Sequence, residues 1–452
     1  PIMGRAAIKV PIGNNPRSRN LKRSARRATT KAAEQPKIYP LKAPLTKVCT
    51  KSTQRIGTLL INFTNTKDGA GVAGLTAAHL LSQKHDVTLV ESKKRIGGHT
   101  NTIKVEENGV EVGVDTGFIV LNDRNYTNFK KLLASLDVKI RDTDMSFSYY
   151  DQNDGFNYAG TGISGYFSQK KNFFSPKHYR FLLNVKKYSK KAANDVSSNS
   201  LLDETLGEYL IRNEFPKDII DKFMIPMGAA VWSGSRKEIA NFPVKMFLKF
   251  FDNHGILDLN NAPQWHTVVG GSYTYVKKII NKFNGNIIKG NGAKSIVRRK
   301  DGVVICLVNG EELVFDKVVC ATHANQTYRI IKDITKEEKN ILEPWQYSKN
   351  RTILHTDTSI MPPARSAWAC WNYVKNIDSK DEDDVSVTYY MNRLQGLKTD
   401  NDYLVTLNPT NEIPKNKIIY ETEYTHPKFT HLSISTQKKV PDVNGSNNLY
   451  FC

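Results

Sequence analysis

The sequence predicts an α/β chain in which a parallel-sheet domain is interleaved with a second, α+β domain. Three stretches carry that prediction: a glycine-rich turn from Gly69 to Gly74, a return to strand–helix–strand patterning after Trp265, and strand-rich sequence from 345 to 431. Gly69, Gly71 and Gly74 form a G-x-G-x-x-G, followed by an apolar helical pattern, the short strand Val87 to Val90, and Glu91. This is the layout of a βαβ dinucleotide site. Gly69 permits the tight turn, Gly71 lets phosphate approach the backbone, and Gly74 lets the helix pack closely on the sheet. The N–H groups of the first helical turn, at Val72, Ala73 and Gly74, then face the pyrophosphate with the helix dipole behind them. Glu91 stands 22 residues after Gly69, where an acidic side chain reaches a ribose hydroxyl. Ser92 lies beside it.

The strand leading into this turn departs from the pattern. A central parallel strand is buried on both faces, yet the run Leu59-Leu60-Ile61-Asn62-Phe63 gives way to Thr64-Asn65-Thr66-Lys67-Asp68 before Gly69. The insert predicts either an outward bulge of the loop or an abnormal stretch of sequence.

Composition bounds the rest. A chain of 452 residues has room for two or more packed units. With 39 % hydrophobic and 10 % aromatic residues it can build a core. No apolar run reaches the length of a spanning helix, so an integral membrane protein is not expected. The cysteines at 49, 306, 320, 370 and 452 form no C-x-x-C pair. Neither a disulfide framework nor a metal centre is expected from them.

The net charge of +21 is uneven, because residues 1–56 hold 14 Lys and Arg against Glu34 alone. With prolines at 11, 16, 36, 40 and 44 and no apolar period, this segment is expected to be a disordered basic arm. A solvated tail and a mitochondrial or plastid transit peptide fit it equally. Cytoplasmic and organellar locations therefore both stay open. A nucleic-acid arm fits poorly, since no aromatics interleave the Arg17–Arg27 cluster.

After Glu91 the chain continues Ser92-Lys93-Lys94-Arg95-Ile96-Gly97-Gly98. A plain NAD site needs no second glycine pair, and this E-x-x-x-R-x-G-G string resembles the flavin-containing amine oxidoreductase family. Beyond a hairpin with its turn at Asn108-Gly109, an amphipathic helix spans Tyr126 to Leu136. Aromatic strands and loops fill 145–175. A basic helix covers Lys177 to Ala193, and a helical block continues through Leu206–Leu210, Ile219–Met224 and Val244–Phe251, broken at Pro216, Pro226 and Pro243. The block reads as a separate cap. From Trp265 the pattern returns: Gly270-Gly271-Ser272 precedes an amphipathic helix, then strands follow at 286–289, 293–298, 303–308 and 316–322. Asp378 to Asp384 reads as a solvated hairpin tip.

Several longer strings sharpen the resemblance. They are Gly117 to Asp123, Pro226 to Ser233, Phe250 to Gly255, Ile353-Leu354-His355-Thr356-Asp357, Trp368 to Tyr373, Tyr389 to Gln395 and Leu407-Asn408-Pro409. Together they resemble a branch of predicted NAD/FAD-binding oxidoreductases found in bacteria and as the N-terminal domain of plant cyclopropane-fatty-acid synthases. The resemblance implies a Rossmann-like FAD/NAD(P)-binding domain interleaved with an α+β substrate domain. On that plan 57–125 and 265–335 are FAD-binding, 126–264 is a helical substrate or cap region, and 336–431 is the substrate-domain sheet. Residues 432–452 begin a further FAD-binding segment, and the sequence stops at Cys452 before the flavin loop and closing helix that follow in the family.

The resemblance also implies FAD as cofactor and a small-molecule substrate, amine-like or apolar and lipid-linked molecules included. Arg95, Gly97 and Gly98 would line the flavin, Ala293 would reach the adenine, and Gly270 and Gly271 would lie near the ring. Strand parity puts 351, 353, 355 and 357 on one face. Arg351 falls where related amine oxidases place a lysine, and His355 reads as a general base or a substrate partner. A structural His355–Asp357 pair is the competing reading. Trp368, Trp371 and Tyr389 are candidate cavity walls or core. A non-catalytic flavoprotein-like module and an NAD-dependent dehydrogenase are the rival functions.

Overall fold

The computed structural model describes residues 57–61 as backbone, and 70–258, 262–376 and 386–452 in full. The basic arm, the polar insert with Gly69, and the Asp378–Asp384 tip lie outside the described residues. Five parallel strands form the first sheet, in the order Asn286–Lys289, Asp86–Glu91, Gly57–Ile61, Lys317–Cys320, Leu449–Phe451. Leu59 pairs with Thr88 on one side and Val318 on the other, placing the glycine-rich stretch after the central strand. The helices Val72–Leu81 and Tyr273–Lys282 cover this sheet through Leu75, Ala78, Val276 and Ile279, all buried. Their alternation of β-branched strands and amphipathic helices is why the layer forms.

The second sheet has seven strands, ordered Ile418–Lys428, Gln346–His355, Leu404–Leu407, Ser386–Tyr390, Trp371–Lys375, Phe147–Asp151, Asn157–Ala159. Its two ends come from opposite parts of the sequence. The helical block is therefore no separate cap: Phe181, Leu206, Phe247 and Phe251 share one core with Tyr149, Tyr373 and Val387 of this sheet. An aromatic sheet face needs apolar cover, and the block supplies it.

One expected break is bridged. Pro226 stands inside continuous helical backbone, where a π-helical turn, Ile220–Met224, leads from Lys217–Ile219 into Ile225–Trp232. Proline removes the donor for the carbonyl four residues earlier. That carbonyl, on Lys222, accepts instead from the Tyr158 hydroxyl at 2.8 Å.

Candidate active site

The helix Val72–Leu81 begins at Gly71, with no side-chain cap and no acid in its first turn. Its first N–H groups have no helical partner by construction. A Cβ on Gly71 would meet only the Cα of Gly98, 3.9 Å away, among the described residues. The helix end thus opens on the Gly97-Gly98 loop, which is stapled to it by Gly97 N–H donating to Ala70 O at 2.8 Å. Gly97 has φ +128°, and a side chain there would fall 2.6 Å from Thr100 O. Gly74 is buried in the helix, while Val72 is exposed at its start.

Glu91 is buried at the end of its strand, accepting from Ala70 N–H at 2.8 Å and Lys93 N–H at 2.9 Å. The Ser92 hydroxyl lies 3.5 Å from the same carboxylate. Ala293 shares a core with Val90 of that strand, and Gly290 N–H reaches Lys93 O at 3.0 Å. Arg95 is turned to the glycine loop. Its guanidinium donates to Thr100 O at 2.7 Å and Gly98 O at 2.6 Å. It shapes the glycine loop from within, because buried carbonyls turned inward need a donor.

Gly270 and Gly271, both at positive φ, are held against the hairpin Thr102–Glu107/Val110–Asp115. The clamp is Asp115, fully buried, which accepts from Ser272 N–H at 2.9 Å, Ser272 Oγ at 3.0 Å, Gln395 Nε2 at 3.1 Å and the Thr102 hydroxyl. Burial pushes its carboxyl up to about 7, with the Thr102 and Ser272 hydrogen bonds opposing.

The strand Gln346–His355 presents two faces, and the chemistry expected on one belongs to the other. Ser348, Asn350, Thr352 and Leu354 pair in register with His426, Tyr424, Thr422 and Tyr420. The Tyr424 hydroxyl meets Asn101 at 3.1 Å and Thr116 at 2.9 Å, so this face is turned to the parallel-sheet domain. Arg351 and His355 lie on the opposite face. Arg351 is exposed and paired with Glu421 at 2.7 and 3.1 Å. His355 is buried, with Nε2 on the Thr406 hydroxyl at 2.7 Å and Nδ1 accepting Asp357 N–H at 3.1 Å. Parity grouped them correctly and left open which group meets the second domain. Trp371 and Tyr389 pack in the core edge to face, and Trp368 stacks under Arg365.

Three histidines absent from the sequence reading converge where the domains meet. His99 follows Gly98, His323 follows the strand Lys317–Cys320, and His426 belongs to the second sheet. The His99 ring lies 5.8 Å from His323, 5.7 Å from His426 and 5.0 Å from Tyr424, and His323 stacks on Tyr347 at 4.4 Å. All three imidazoles are half-buried. Burial, with His99 and His323 alongside, pushes His426 down to about 4. The cluster sits beyond the C-terminal ends of the parallel strands, where open α/β sheets bind ligands. Among the described residues no group of His, Cys, Asp and Glu has the geometry to hold a metal ion.

The profile of the flavin-containing amine oxidoreductases matches residues 72–362. The chain belongs to that family. Solved structures of similar fold include a fatty acid isomerase from P. acnes (TM-score 0.62, 15 % identity, 89 % of this chain and 94 % of that one). A putrescine oxidase bound to putrescine gives TM-score 0.60 at 13 % identity, covering 88 % and 92 %. Cyclohexylamine oxidase from Brevibacterium oxydans IH-35A gives 0.57 at 14 %, covering 88 % and 93 %. No curated protein matches. The family's cofactor is a flavin, FAD, and the residues present fit it: the open helix end at Gly71 is a cradle that a side chain would fill.

Proposed function

We propose that the chain is an FAD-dependent oxidoreductase acting on a small organic molecule, with lipid-linked substrates within its range. The observation that carries the reading is the cradle at Gly71 and Gly98 leading directly, through His99, to the face of the second sheet that bears Tyr424 and His426. Gly69, Gly71, Val72, Ala73 and Gly74 would hold the pyrophosphate by backbone N–H groups and the helix dipole. Glu91 would take the ribose, with Ser92 beside it, and backbone near Ala293 the adenine. Gly97 and Gly98 would border the ribityl side, with Arg95 fixing their shape. Gly270 and Gly271 would approach the ring from the Asp115 clamp.

Bound FAD supplies a hydride acceptor for a substrate C–H bond. The chain's own residues orient the substrate and exclude water. No described helix is long and apolar enough to cross a membrane. The C-terminal strings support the cyclopropane-fatty-acid-synthase-associated branch as the closer grouping. Mixing the FAD-loaded full-length chain anaerobically with panels of amines and acyl compounds tests the reading. Bleaching of the flavin band by one class is expected. A loaded protein that no compound reduces favours the non-catalytic module, and nicotinamide binding without flavin favours the dehydrogenase.

A further inference from the structure

The protonation of His426 is written in the hydrogen bonds behind it. The backbone N–H of Arg351 donates to Asn408 Oδ1 at 3.0 Å, which fixes the orientation of that amide. Asn408 Nδ2 must then face Asn350, and it donates to Asn350 Oδ1 at 2.9 Å. Asn350 in turn presents its Nδ2 to Nδ1 of His426 at 3.2 Å. An amide nitrogen is only a donor, so Nδ1 of His426 is the acceptor and the proton of the neutral ring sits on Nε2. Asn350 is 1 % exposed, so water does not scramble the relay. No described group accepts from Nε2 of His426.

The surroundings decide what such a donor is for. His99 and His323 approach the ring from the parallel-sheet domain, and Tyr424 lies two residues before it on its own strand. The acids of that strand, Glu421 and Glu423, register with Ile353 and Arg351 on the other face, where Arg351 and Lys349 pair with them. Three imidazoles and a tyrosine thus come together at the crevice, and the acids of this strand lie on its other face. An ammonium carries only donors and meets a donor there. A carboxylate accepts, and charge-assisted hydrogen bonds are about twice as strong as neutral ones.

We infer that His426, locked as the Nε2–H tautomer by Asn408 and Asn350, is a positioning donor for a carboxylate on the substrate, flanked by His99 and His323. This rests on the oxidoreductase reading above and narrows its substrate class from amines to carboxylic acids. A flavin carbonyl is the other acceptor the same N–H could serve, and the experiment separates the two.

The test is calorimetric titration of the FAD-loaded full-length chain with octanoate and with octylamine. Octanoate is expected to bind at least about tenfold more tightly, the scale of one hydrogen bond to a charged group. His426→Leu should lose about tenfold for octanoate and leave FAD affinity unchanged, whereas His426→Gln, which keeps an N–H near Nε2, should recover most of the loss. Asn408→Asp is the sharper variant, because a carboxylate at 408 cannot donate to Asn350. The Asn350 amide then turns over, Nδ1 of His426 takes the proton, and octanoate binding falls although residue 408 is two hydrogen bonds away. Nitrogen-15 shifts of His426 should report the exchanged tautomer. Equal binding of octanoate and octylamine overturns the inference, as does a His426→Leu variant that loses FAD and keeps octanoate. A chain that takes up no FAD sinks the oxidoreductase reading, and titrating that same chain with octanoate still decides this one.

Discussion

His355 and His426 lie on neighbouring strands of one sheet and on its opposite faces. Both accept a hydrogen bond at Nδ1, and both are pushed down to about 4 by burial. They differ at Nε2. That of His355 is consumed by Thr406, which bonds Thr388 at 2.8 Å, while Asn372 and Ser148 extend the polar ladder across the sheet. That of His426 has no hydrogen-bond partner among the described residues, and its ring lies 5.7 Å from His99. Equal chemistry therefore yields a strut on one face and a donor on the other, and what decides is the element packed opposite.

Acid should expose the shared part of this comparison first. A histidine whose folded pKa is depressed binds protons more readily when unfolded, so its stabilising contribution is present above about 6.5 and is lost as pH falls toward 4. For His355 the slope approaches about 1.4 kcal/mol per pH unit in that window. Denaturant midpoints measured from pH 7 to 4.5 should fall, and less steeply in His355→Leu. A midpoint flat across that range contradicts the buried neutral ring.

The faces should separate on mutation. His355→Leu is expected to cost about 2–3 kcal/mol, because it removes two hydrogen bonds at a buried site, one to the Thr406 hydroxyl and one from the Asp357 N–H, with FAD affinity unchanged. If the variant keeps its stability and loses flavin binding instead, the two histidines have been assigned the wrong way round. Thr406→Val, read by the same urea melt, should cost about 1 kcal/mol. Arg351→Ala should be the mildest, below about 0.5 kcal/mol for an exposed ion pair. A large loss of flavin reduction in that variant would return Arg351 to the chemistry.

The order of strands and helices was legible because apolar periodicity and glycine spacing are local. The glycine spacing at Gly71 and Gly74 and the Gly97-Gly98 pair are likewise local features of the sequence. The separate cap was not, since Phe147–Asp151 joins the sheet of a segment more than 200 residues later, and pairing at that distance leaves no local signal. Pro226 misled because the rule for a missing donor says nothing of Tyr158 arriving to replace it. The histidine cluster joins residues 99, 323 and 426 from three separate segments, each ordinary in its own context. Residues that alternate along Gln346–His355 define two faces, but only Tyr424 touching Asn101 and Thr116 tells which one meets the other domain.

The central claim is that a flavin dinucleotide binds at the open helix end beside Gly98. The most direct test is an FAD titration of the full-length chain and of Gly71→Leu, followed by calorimetry and the visible flavin spectrum. The geometry predicts one FAD per wild-type chain. In the variant, whose Cβ projects into the cradle 3.9 Å from Gly98 Cα, affinity should fall by about a hundredfold or more, with an unchanged melting midpoint of the flavin-free protein. Equal FAD binding by both chains would contradict the account.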